Sequence, residues 1–162
     1  MKSGIAGRPL YFEDYEIGMT FETPGRTITD ADIVNFAGIS GDFYGIHVDD
    51  VFAKNNSIFG GRVAHGLLVI SVITGLWFRL GIFEGTLLAF YGIDRLRWTK
   101  PVRPGDTIRA KLTVVSKEEK RLGGLITFKN EVYNQKGELV AVFDAKLLIS
   151  RKIKNDALSR KD

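Results

Sequence analysis

The chain has 162 residues, a formal charge of +4, 44% apolar residues and no cysteine. That is the length of one ordinary domain with enough apolar and aromatic material to fill a core, and the missing thiols exclude disulfides, thiolate catalysis and cysteine-rich zinc sites. Basic and acidic residues are mixed along the chain, and much of the excess sits in the tail RKIKNDALSRKD with no aromatic-basic motif, so no nucleic-acid partner is expected.

The N-terminal MKSGIAGRPL lacks the apolar stretch of a signal peptide, and the nearly charge-free run from Val63 to Phe78, 16 residues, is shorter than the roughly 20 a membrane span needs. No membrane association is expected, and the absence of cysteine fits a cytoplasmic location. No repeat or linker interrupts residues 11 to 150. One domain over 1–162 is expected, with its core in 11–150 and a frayed tail at 151–162.

In chain order, a short strand is expected near Met19 to Thr23. Thr29 and Asp32 form a Thr-x-x-Asp cap ahead of Ile33, Phe36 and Ala37 at helical spacing, and Gly38 and Gly41 end that helix. From about Gly66 to Leu80 a second helix is apolar on nearly every side, so other elements must wrap it. After Gly85 the period changes to two. Extended segments at about 86–99, 106–117, 123–135 and 138–150, joined by short turns, imply an antiparallel sheet. An α+β fold follows, with a sheet of five or more strands wrapped around one long buried central helix, which is the hot-dog arrangement.

Two places could carry chemistry. Asp42 and His47 are five positions apart, and on an α-helix that offset would splay them by about 140°. Gly41 and Gly45 argue for a loop, where the two can converge as a carboxylate–imidazole acid/base pair. The bland alternative is that Asp42 caps the loop and His47 lies on the surface. Next, Gly66 opens the apolar helix, so its N–H lies at the positive end of the dipole and could bind a developing oxyanion, with Ser71 further along. Alternatively, Gly66 and Ser71 are small only because strands press there. His47 and His65 lie 18 apart, without thiols or a helical His pair, so no metal is expected.

Taken together these residues resemble the MaoC-like dehydratases, the family of (R)-specific enoyl-CoA hydratases. Its signature runs Gly-Asp-x-Asn-Pro-apolar-His, then an acid and an Ala, and later His-Gly followed by two apolar residues and a Ser. Gly41-Asp42, His47, Asp49, Ala53, His65-Gly66 and Ser71 match, and the likeness covers about residues 11 to 150, including the turn from Lys100 to Asp106.

The resemblance implies hydration of a trans-2-enoyl-CoA to a 3-hydroxyacyl-CoA, or the reverse dehydration, in acyl-CoA metabolism. By it, Asp42 and His47 activate the water, Gly66 N–H with Ser71 stabilises the thioester oxygen, and no metal or redox cofactor is needed. It also implies an acyl-CoA thioester as substrate and a homodimer or higher homo-oligomer. One departure is that Tyr44-Gly45 replaces the Asn-Pro, which makes Tyr44 a candidate acyl-pocket residue or a packing residue. Arg62, Arg97, Lys100 and Arg103 are candidates for the CoA phosphates. Two other functions fit the fold. One is an acyl-CoA thioesterase, disfavoured because the stretch from Gly66 to Trp77 has no acid, and the other is an acyl-CoA-binding or regulatory module without turnover.

Overall fold

The capping box at Thr29 forms as its sequence predicts. Thr29 Oγ1 accepts from the Asp32 amide at 3.2 Å, and the Asp32 carboxylate accepts from the Thr29 amide at 2.8 Å. In this computed structural model, which describes residues 7–152, helix α1 (Asp30–Ser40) runs through Gly38. It ends only at Gly41, whose φ of 78° is the left-handed conformation glycine adopts without steric cost. Most of the tail expected to fray lies outside the described residues.

Two short helices follow, α2 (Gly45–Val48) and α3 (Asp50–Asn56), and then α4 (Gly66–Phe78). The segment expected to be a loop up to His47 is therefore a loop only as far as Tyr44. Gly45 is needed there for packing, because a Cβ on it would lie 2.7 Å from the Phe52 ring.

Six antiparallel strands make the sheet: β1 (Thr20–Glu22), β2 (Arg26–Thr27), β3 (Leu87–Trp98), β4 (Thr107–Lys120), β5 (Gly123–Tyr133) and β6 (Leu139–Ile149). The order is β1-β4-β5-β6-β3, with the two-residue β2 also paired to β4. All four long strands lie within three residues of their predicted bounds. Helix α4 supplies Leu68, Val69, Ile70, Val72, Ile73, Leu76 and Trp77 to the core between helix and sheet. Deep in that core Trp77 Nε1–H donates to Asn130 Oδ1 at 3.0 Å, so the buried indole keeps a polar partner. This is the hot-dog fold.

The wrapping of α4 is incomplete within one chain. Leu67, Ser71, Gly75 and Phe78, at the spacing of one helix face, remain exposed. Strand β3 is a sheet edge and also exposes Leu88, Phe90, Tyr91 and Trp98.

Candidate active site

Residues 63 and 64 tie the site together. The Val63 amide donates to the Ile46 carbonyl at 3.1 Å, and the Ala64 amide donates to the Val102 carbonyl at 2.7 Å. The start of α4 is thereby fixed between α2 and the turn after β3. Among these elements lies a cavity of about 500 Å³, walled by Phe36, Ile46, Phe59, Leu67, Trp98 and Val102 and carrying Asp42, His47, His65 and Gly66 on its surface.

His47 is buried, 8% exposed, and its Nδ1 lies 2.7 Å from the Val63 carbonyl oxygen. A carbonyl can only accept, so Nδ1 carries the hydrogen of the neutral ring and Nε2 keeps its lone pair. That lone pair is on the side of Asp42, whose Oδ2 is 3.9 Å from Nε2. The gap is too long for a direct hydrogen bond, but one water oxygen could touch both atoms. Asp42 is fixed by its other oxygen, since Oδ1 accepts from the Tyr44 amide at 3.2 Å.

His65 touches both members of the pair. Its ring stacks on His47 with centroids 3.8 Å apart and 23° between planes, and its Nε2 lies 2.9 Å from the Asp42 carbonyl oxygen. By the same reasoning Nε2 carries the hydrogen. Nδ1 of His65 is buried with no partner. In the sequence His65 stood out only beside Gly66, and nothing there showed it reaching Asp42.

Asp42, His47 and His65 each offer a donor atom within 4.8 Å of the others. The stacked rings fit a metal poorly. Imidazole lone pairs lie in the ring plane, and two nearly parallel planes 3.8 Å apart cannot both aim at one ion about 2 Å from each nitrogen.

Gly66 is the first residue of α4 and lies on the cavity wall as expected. A Cβ there would sit 2.5 Å from the Trp98 ring. Ser71 is not on the wall. Five residues past Gly66 it is turned about 140° around the helix, is exposed, and donates its hydroxyl to the Leu67 carbonyl at 2.8 Å. Tyr44 is also elsewhere, 57% exposed with its ring against Phe52 at 5.7 Å, so of the two roles open to it the structure shows packing.

The basic candidates separate too. Arg62 is held by Asp30 at 2.7 Å and Asp50 at 2.6 Å, and Arg103 donates to the Phe59 carbonyl. Lys100 lines the cavity and pairs with Glu138 at 2.6 Å, while exposed Arg97 bonds to the Leu96 carbonyl at 2.7 Å. Of the four, Lys100 is the one on the cavity wall. Asp49 and Ala53 are structural: the Asp49 carboxylate caps α3 by accepting from the Phe52 amide at 2.8 Å, and Ala53 is fully buried.

The family model of the MaoC like domain matches residues 13–135. The chain belongs to the MaoC-like family. Protein MaoC of Klebsiella aerogenes is 46% identical over 110 residues, 68% of this chain and 32% of that protein. The 3-hydroxybutyryl-CoA dehydratase of Methylorubrum extorquens is 39% identical over 107 residues, 66% of this chain and 65% of that protein. This MaoC-like chain thus spans about a third of the first relative and just under two thirds of the second. Among solved structures, one described as a monoamine oxidase regulatory protein from Archaeoglobus fulgidus is 39% identical with a TM-score of 0.82, covering 91% of this chain and 99% of that one. The family is that of hydratases and dehydratases. Among the described residues no helix of the MaoC-like chain is long and apolar enough to cross a membrane.

Proposed function

We propose that the protein hydrates trans-2-enoyl-CoA thioesters to (R)-3-hydroxyacyl-CoA, or catalyses the reverse dehydration. The observation that carries this reading is His47 Nε2 facing Asp42 Oδ2 at 3.9 Å in the same cavity as the first amide of α4. A water between those two atoms gives its proton to the pair as its oxygen attacks the β-carbon. Electron density moves to the thioester oxygen, where the Gly66 N–H at the positive end of α4 stabilises it. Collapse of the enolate takes a proton at the α-carbon, so one water is added in full and no redox change occurs. Neither a metal nor a redox cofactor is needed for this chemistry.

The reading includes a homodimer. Unpaired edge strand β3 and the exposed stripe of α4 present apolar surface side by side, and a second copy placed against them covers both.

A second reading, an acyl-CoA-binding or regulatory module without turnover, draws on the Tyr44-Gly45 departure. The thioesterase reading is weaker, because α4 carries no Asp or Glu that could activate water. Following crotonyl-CoA by loss of enoyl absorbance, with free thiol measured in parallel, separates the three. Absorbance loss without thiol is expected. Thiol release would mean a thioesterase, and neither signal would favour the binding module.

A further inference from the structure

Strand β3 does not alternate regularly, and its last irregularity decides what stands over Gly66. Ile93 pairs with Ala145 and Trp98 with Ala141. Residues 141 and 145 are an even number apart on β6, so both point to the helix side, and their partners share that face. Residues 93 and 98, however, are an odd number apart. With strict alternation Trp98 would point away from α4.

An extra residue between Asp94 and Arg97 restores the parity, since the register there advances three positions on β3 against two on β6. Within this bulge Arg95 has φ 55°, the one positive φ of a non-glycine among the described residues. Its guanidinium is tied to Asp144, which is 5% exposed, with Nε donating at 2.6 Å. Backbone strain of this kind persists where its surroundings enforce it, and it gathers at functional sites.

The aimed side chain is the one that meets the helix terminus. The Trp98 ring lies where a Cβ on Gly66 would fall, and Trp98 lines the cavity shared with Asp42 and His47. An acyl group whose carbonyl is held at Gly66 therefore has the half-exposed indole beside it. We propose that Trp98 is the specificity-determining wall of this site, restricting it to short acyl groups, and that the left-handed Arg95 is the positioning residue that aims it. The proposal rests on the acyl-CoA reading above.

Binding is the test that does not depend on turnover. Titration calorimetry with butyryl-CoA and octanoyl-CoA gives a length ratio for each variant. One methylene in an apolar pocket changes discrimination by about tenfold or more. Trp98→Ala should therefore shift the ratio toward octanoyl-CoA by at least about tenfold, and Trp98→Phe by less. Equal weakening for both lengths, or a ratio within about twofold of the parent in a variant that melts normally, overturns the wall. The aiming role has its own pair. Arg95→Gly keeps the left-handed backbone, whereas Arg95→Val resists it, and both lose the ion pair to Asp144. The Val variant should shift the ratio as Trp98→Ala does and the Gly variant should stay near the parent, so identical behaviour of the two overturns that role. If the parent binds both thioesters but hydrates neither matching enoyl-CoA, the hydratase reading falls and the wall stands. If it binds neither, the wall falls as well.

Discussion

His47 and His65 stack with 23° between their planes, and His47 turns its Nε2 toward the Asp42 carboxylate at 3.9 Å. His65 bonds through Nε2–H to the backbone of the Asp42 loop, so one ring touches both residues proposed to react. His65→Ala should lower kcat by about 10² while KM for crotonyl-CoA changes little, since displacement of positioned groups costs rate more than binding. His65→Gln, which can restore the donor, and His65→Phe, which can restore the stack, should each recover part of the loss. A large rise in KM with kcat intact would assign His65 to substrate binding instead.

Asp42→Asn and His47→Asn should each reduce kcat by about 10² to 10⁴, the usual worth of a positioned proton-transfer group. Their combination should cost much less than the product of the two, because they act on one water. Steady-state kinetics with circular dichroism as a folding control gives the answer. Turnover near the parent level in either variant would remove that residue from the reaction.

How far the sequence showed this site depends on whether a role is local or long-range. The spacing of Asp42 and His47 left their convergence open and the family resemblance brought them together, whereas the strand bounds were legible from a period of two. His47 turned out to sit on α2, because the glycine read as a breaker is held by Phe52 packing rather than by a need for loop geometry. Ser71 entered through the family motif, which carries no information on its direction around the helix, and five residues of helix rotate it away from Gly66. Trp98 gave no signal at all. Its direction depends on a bulge, and a bulge changes which face every later residue occupies without changing composition.

Gly66 and Ser71 should respond very differently to substitution. Gly66→Val adds branches where the Trp98 ring already leaves no room for a Cβ, and it obstructs the amide proposed to bind the thioester oxygen. Turnover should fall by about 10² or more, the loss seen when one oxyanion donor is removed. The Ser71 hydroxyl is spent on the Leu67 carbonyl, so Ser71→Ala should change kcat/KM by less than about tenfold. A larger loss in the Ser71 variant than in the Gly66 variant would make the hydroxyl the main donor.

Assembly is testable at the same surface. Phe78 on the exposed stripe of α4 and Phe90 on edge strand β3 are each about half exposed, with Phe78 meeting Phe83 edge-on at 6.4 Å and Phe90 meeting Trp77 edge-on at 5.8 Å. A charge at Phe78 should oppose burial against a second copy, while within one chain it removes only the edge contact with Phe83, so a melting curve serves as the folding control. Sedimentation of the parent at micromolar concentration should give a dimer, and Phe78→Glu should shift it toward monomer. A folded parent monomer at that concentration would rule the dimer out.

The hand of the product tests the placement of Asp42 and His47 relative to Gly66. A flat enoyl group whose carbonyl is held at the α4 terminus presents one face to the water side of the cavity, and both reacting side chains lie on the same loop-and-α2 segment. Attack should therefore come from one side and yield a single enantiomer, and the resemblance to the (R)-specific hydratases makes the (R)-3-hydroxyacyl thioester the expected one. The protein is incubated with crotonyl-CoA, and the product is divided between an (S)-specific 3-hydroxyacyl-CoA dehydrogenase with NAD and an (R)-specific enzyme with its own cofactor. Only the second should report product. Strong NAD reduction in the first would mean that water arrives from the opposite face, and the proposed line from Gly66 N–H through the enoyl group to His47 Nε2 would have to be abandoned.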